Sequence, residues 1–155
     1  MSPKGQVRFY AGGDEYGSFS NFAPYPIRLS GKTWPTSEHY FQAQKFRDEA
    51  YQARIRSTKS PMIAARLGRS RKQPIRPDWD RVKLRVMEEA VRAKFFQHES
   101  LRQLLIDTGD TEIVEHTERD STWGDGGDGS GQNLLGKILM RVREDLRKDR
   151  SGDPA

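Results

Sequence analysis

Trp123-Gly124-Asp125-Gly126-Gly127-Asp128-Gly129-Ser130-Gly131-Gln132-Asn133-Leu134-Leu135-Gly136 is a glycine run that stops where an apolar, basic segment begins. Five glycines fall between positions 124 and 131, so no regular element survives there. Leu134, Leu135, Ile138, Leu139 and Val142 then recur at helical spacing and predict a C-terminal helix with one apolar stripe. Such a loop offers unpaired N–H groups and the positive end of a helix dipole to an anion. A phosphate or phosphosugar site is therefore one reading, favoured by Trp123 and Asp125 at the mouth of the loop; a surface turn is the other. Gly131 to Lys137 formally matches a nucleotide-triphosphate loop, but Ile138 stands where Ser or Thr would bind magnesium. An EF-hand fails because Gly136 occupies the twelfth position. The glycine spacing does not fit a dinucleotide fold.

Working back from the loop, Ile113-Val114 reads as a last strand, and Leu101, Leu104 and Leu105 as a helix closed near Gly109. Trp79, Val82, Val86 and Ala90, with Met87, Val91 and Phe95, predict a long helix opened by Pro77. Ser60-Pro61 starts a short helix that Gly68 can end. Ile27-Arg28-Leu29 and Lys32-Thr33-Trp34 flank Ser30-Gly31 as a hairpin. A helix capped by Thr36 or Ser37 runs to about Phe46. Val7 to Tyr10 is a short strand, and 14–26 is loop. The expected fold is a single α+β domain over 7–149, mostly helical with a small β-sheet, between a flexible N-terminus (1–6) and a flexible tail (150–155).

The chain has 155 residues, 34% hydrophobic and 32% charged, enough for one core. It has no cysteine, which removes disulfides, thiol catalysis and zinc–thiolate sites. His39, His98 and His116 have no metal-ligand spacing, so no metal and no cofactor are expected. No apolar run spans a membrane and no signal region opens the chain, so a cytoplasmic location without membrane contact is expected. The net charge is +5. Arg66, Arg69, Arg71, Lys72 and Arg76 lie in one acid-free stretch. It could hold phosphate on a small molecule or on a nucleic acid, or be a solvated surface. Trp79 just beyond it packs in the core or stacks on a base-like ring.

On the helix after Thr36, the residues Glu38, Gln42 and Lys45 share one stripe at i, i+4 and i+7. Such a stripe faces solvent or lines a cleft. In a cleft, Glu38 would be an ionised carboxylate in the first turn, able to stabilise a cation or activate water. Lys45 would bind phosphate or, if desolvated, act as a nucleophile.

Phe19-Ser20-Asn21-Phe22, the block from Thr33 to Phe46 containing Ser37-Glu38-His39-Tyr40-Phe41-Gln42, Ala64 to Arg69, and Trp123 to Gly127 followed by Gly131 to Gly136 resemble the NADAR family. The likeness runs from about Val7 to Leu146. It implies an N-glycosidase cleaving ribose phosphate from aminopyrimidine intermediates of riboflavin biosynthesis. Other members of the family act on ADP-ribose attached to guanine. Hydrolysis of ADP-ribosylated guanine in DNA and non-catalytic binding of ADP-ribose or a nucleotide are the rival readings. The resemblance puts a catalytic role on Glu38 and site roles on Asp125, Trp123, Gly126 and Gly127. Asp125 and Lys45 join Glu38 as catalytic candidates. Asn21, Phe22, Arg69, Trp79 and Asn133 complete the substrate-binding set. The expected partner is a phosphoribosyl or ADP-ribosyl small molecule, or a modified nucleic acid.

Overall fold

The computed structural model describes residues 5–13 and 15–150; the expected tails at 1–4 and 151–155 lie outside the described residues. The chain divides into two compact units, one of residues 24–94 and one of residues 5–23 with 95–150.

In the central unit, β2 (Ile27–Leu29) and β3 (Lys32–Trp34) form the expected antiparallel hairpin. Its turn has φ of 55° at Ser30 and 75° at Gly31, the paired positive values of a two-residue hairpin turn. Helix α1 (Ser37–Ala43) starts where Thr36 accepts a hydrogen bond from the His39 N–H. It stops before the expected Phe46. Every residue of α1 is buried, because the helix packs against β3, α2 (Glu49–Ser57) and α3 (Pro61–Arg69). The sequence reading missed α2. It is capped by Asp48 and buries only Tyr51 and Ile55, too few apolar positions to show a stripe. Ser60 caps α3 and Pro61 opens it, as expected. Gly68, expected to end the helix, lies inside it, and Ser70 is the C-cap. The small residues Ala64, Ala65 and Gly68 are the buried ones of α3. Helix α4 (Trp79–Gln97) begins two residues after Pro77 and belongs to this unit through residue 94. Trp34 meets Tyr40 edge-on at 5.3 Å, and Phe41 meets Trp79 at 5.1 Å.

In the other unit, β1 (Gln6–Phe9) pairs in parallel with β4 (Glu112–Glu115). The strand thus begins at Gln6, inside the segment expected to be flexible. Helix α6 (Leu134–Arg150) packs on β4 and on α5 (Glu99–Asp107). Leu135, Ile138, Leu139, Val142 and Leu146 of α6 are buried, the stripe read from sequence plus one more turn, except that Leu134 is only half-buried. Phe19, in a 3-10 turn at Gly17–Phe19, packs edge-on against Phe9 and Phe95. Among the described residues, the small β-sheet content takes the form of two two-stranded ribbons.

Candidate active site

Thr36 fixes the start of α1 twice. Its hydroxyl accepts from the His39 N–H and lies 2.8 Å from His39 Nδ1. His39 Nε2 is 3.0 Å from the Thr58 carbonyl; a carbonyl only accepts, so Nε2 carries the proton and Nδ1 accepts from Thr36. Burial holds the imidazole below its ordinary pKa. His39 is a core histidine.

Glu38 is on the next position round the helix. It is only 8% exposed, so the polar stripe of α1 is not a solvent face. Gln42 Nε2 donates to Glu38 Oε2 at 2.6 Å. Lys45, just past the helix end, points its Nζ at the Gly68 carbonyl, 3.4 Å away. Burial lowers the Lys45 pKa most; Glu38 opposes that, and Arg71, Arg69 and Lys83 lower it further. A buried carboxylate and a lysine with a destabilised charge thus share one stripe, amid three further cations. Arg69 is exposed at the end of α3. Arg76 is not free for phosphate, because its guanidinium binds both oxygens of Asp78, at 2.6 and 2.9 Å. Trp79 is half-buried against Phe41.

The glycine loop differs from its sequence reading. Many of the N–H groups expected to face an anion are used inside the loop. Gly126 donates to the Asp120 carbonyl, Gly131 to that of Asp125, and Gln132 to that of Ser121. Asn133, Leu134 and Leu135 donate to the carbonyls of Gly124, Thr122 and Trp123. The N–H groups of Leu134 and Leu135, which open α6, are thus taken by the chain that precedes the helix and are not offered to an anion. Asp125 is 4% exposed. Its Oδ1 accepts from the N–H groups of Thr117 (3.1 Å) and Gly127 (2.8 Å), and its Oδ2 meets His116 Nδ1 at 2.8 Å. Burial pushes this carboxyl up; the bonds from His116, Gly127 and Thr117 outweigh it and hold it below the usual carboxylate range. Asp125 is the knot of the loop.

Gly127, at φ 91°, needs its missing side chain for the chain itself: a Cβ would sit 3.0 Å from Glu118 Cα. Gly126, at φ 72°, has room for a Cβ but not the backbone for one. Asn133 spends its amide on β4, donating to the Ile113 carbonyl (2.9 Å) and accepting from the Glu115 N–H (3.0 Å). Trp123 and Phe22 are half-buried, and Asn21 is buried. His116, whose side chain is 38% exposed, was passed over in the sequence because no metal or triad spacing surrounds it. Its pairing with Asp125 joins a strand end to a loop nine residues on, which periodicity does not reveal. Among the described residues, no group of three His, Cys, Asp or Glu side chains could hold a metal ion, and no helix is long and apolar enough to cross a membrane.

Mostly helical units with short two-stranded ribbons define an α+β protein. The NADAR domain profile matches residues 8–147, and the chain belongs to the NADAR family. It is 59% identical to the N-glycosidase YbiA of Escherichia coli K12 over 140 residues, 90% of this chain and 88% of that one. An N-glycosidase of Nostoc punctiforme is 45% identical, covering 91% and 92%. A riboflavin biosynthesis protein of Vibrio vulnificus is 46% identical over 92% of this chain and 39% of its own length. The NMR structure of E. coli YbiA superposes with a TM-score of 0.90 at 53% identity, covering 100% of this chain and 92% of that one.

Proposed function

We propose that this protein is a metal-independent N-glycosidase that hydrolyses the C–N bond between ribose phosphate and an aminopyrimidine of riboflavin biosynthesis. The observation that carries the reading is the buried Glu38 carboxylate, tied to Gln42 beside Lys45. Breaking a glycosidic C–N bond builds positive charge at the anomeric carbon, as in glycoside hydrolysis. A buried, fixed carboxylate stabilises that charge more strongly than one in water and can orient the attacking water. Arg69, Arg71 and Lys83, which act electrostatically on Lys45, supply positive potential for a phosphate. The names of the Escherichia, Nostoc and Vibrio relatives support the reaction class and its riboflavin context. The test is to incubate the protein with the phosphoribosyl aminopyrimidine and, separately, with ADP-ribosylated guanine in DNA. The proposal expects free ribose phosphate from the first; release of ADP-ribose from the second alone would replace it.

The lowered pKa of Lys45 favours a second route, in which its neutral amine attacks the anomeric carbon, the glycosidic C–N bond breaks and the aminopyrimidine leaves with a proton. Ring opening then gives an imine with the sugar, which water hydrolyses to ribose phosphate and the free amine. Borohydride added during turnover would trap that adduct as a mass increase on Lys45. Lys45→Arg, which is never neutral, would then be inactive. If Lys45 only contributes charge, Lys45→Arg keeps activity and nothing is trapped.

A further inference from the structure

Gln42 and Gly68 are left over once Glu38 and Lys45 have been given their roles. Gln42 is 7% exposed. Its Nε2 donates to Glu38 Oε2, while its own Oε1 is buried with no hydrogen-bond partner among the described residues. The opposite amide orientation would set an oxygen against a carboxylate, so the assignment is physically fixed. Leaving a buried acceptor unpaired costs stability, and its retention calls for a function. That oxygen packs on Gly68 of α3. A Cβ at position 68 would overlap Gln42 Oε1 and lie 2.7 Å from its Cδ. Gly68 is helical, with no positive φ, so its backbone would accept any residue. The space it leaves is what matters, and Gln42 occupies it.

We propose that Gln42 is a positioning residue for the Glu38 carboxylate and that position 68 is glycine to seat it. This rests on the reading of Glu38 as the acting carboxylate. The amide fixes Oε2, and the α3 backbone keeps the amide from swinging away.

The test measures kcat and KM across pH, with Tm, for Gln42→Leu, Gln42→Glu, Gly68→Ala and the Gln42→Leu/Gly68→Ala pair. Glu38→Gln is the separate control on the underlying reading. Gln42→Leu should lower kcat roughly ten- to hundredfold with KM within about threefold, the scale of a misplaced reacting group. Gly68→Ala, acting from the other helix, should lower kcat similarly with only a small change in Tm, since the helix preference of alanine offsets part of the cost of displacing the Gln42 amide. The double variant should lose no more than the worse single variant, because both act on one contact. Gln42→Glu sets two carboxylates in contact, so they share a proton, and the acid limb of kcat should move to higher pH.

If Gln42→Leu and Gly68→Ala keep kcat within about twofold while Glu38→Gln is dead, the positioning role is overturned and the reading of Glu38 stands. If losses in kcat follow Tm and the pH profile of Gln42→Glu is unmoved, the residues are structural only and the proposal fails. An active Glu38→Gln overturns both.

Discussion

The α1 stripe and the glycine loop before α6 resemble each other as sequence: each sets a carboxylate among polar neighbours, Glu38 in the first turn of a helix and Asp125 in the loop that leads into one. In the folded chain they behave in opposite ways. Asp125 gives both oxygens to the loop that carries it, through Thr117, Gly127 and His116, and the N–H groups around it are already paired with carbonyls. Glu38 is held at Oε2 by an amide four residues on, and its neighbour Lys45 keeps a proton at a disadvantage. The lesson is one of hydrogen-bonding capacity. Both oxygens of Asp125 are taken up by groups that frame its loop. The buried Glu38 carboxylate instead shares its stripe with a half-buried lysine whose charge is disfavoured, the kind of perturbed pair that marks a candidate site.

The largest effect expected from this contrast is kinetic. Glu38→Gln keeps the shape and removes the charge, and should cut turnover roughly 10²–10⁴-fold. Its Tm should move by less than about 3 °C, about 1 kcal/mol for a chain this long. Steady-state kinetics beside a thermal melt checks both halves, and a large Tm loss would make Glu38 a structural residue like Asp125.

Asp125→Ala should do the reverse first. It strips the Thr117 and Gly127 N–H groups and His116 of a buried acceptor, at about 2–3 kcal/mol of stability, with activity falling as the loop loses its frame. Denaturant unfolding reads this out, and unchanged stability would mean the knot holds nothing.

The same carboxyl predicts a pH dependence. Its folded pKa lies below the ordinary value, near 4 for an unfolded chain. Its contribution is therefore fully present above about pH 4 and is lost as pH falls through the lower folded value. The stability gap between the wild type and Asp125→Ala should be constant from neutral pH to about pH 5 and should close in acid. A gap that widens on acidification would reverse the assignment.

Gly127→Ala is the milder perturbation, destabilising by about 1–2 kcal/mol through φ of 91° and the contact with Glu118. The smallest effect is that of EDTA: turnover should be unchanged, and loss restored by a divalent ion would refute side-chain chemistry.

Much of this was legible because periodicity reports what a helix buries. The α6 stripe, the α3 start at Ser60-Pro61 and the Ser30-Gly31 turn depend on local rules, and the structure follows them. Helix α2 escaped notice since it buries only Tyr51 and Ile55. The polar stripe of α1 could be placed on one face, but whether that face met water was decided by α2 and α3 packing around it. Gly68 read as a helix stop because its neighbour in space, Gln42, is twenty-six positions away in sequence. The satisfied N–H groups of the glycine loop were invisible for the same reason: their acceptors lie in 120–125, folded back onto the loop.

The central claim is that a carboxylate at position 38, not the shape of the side chain, carries the chemistry. Single-turnover hydrolysis by Glu38→Ala, with and without added formate, tests it most directly. Truncation leaves space for a small carboxylate beside the Gln42 amide. The account predicts a loss of roughly 10²–10⁴-fold that formate partly restores in a concentration-dependent way, with no such rescue of Asp125→Ala. Glu38→Ala turning over at the wild-type rate without formate would contradict it.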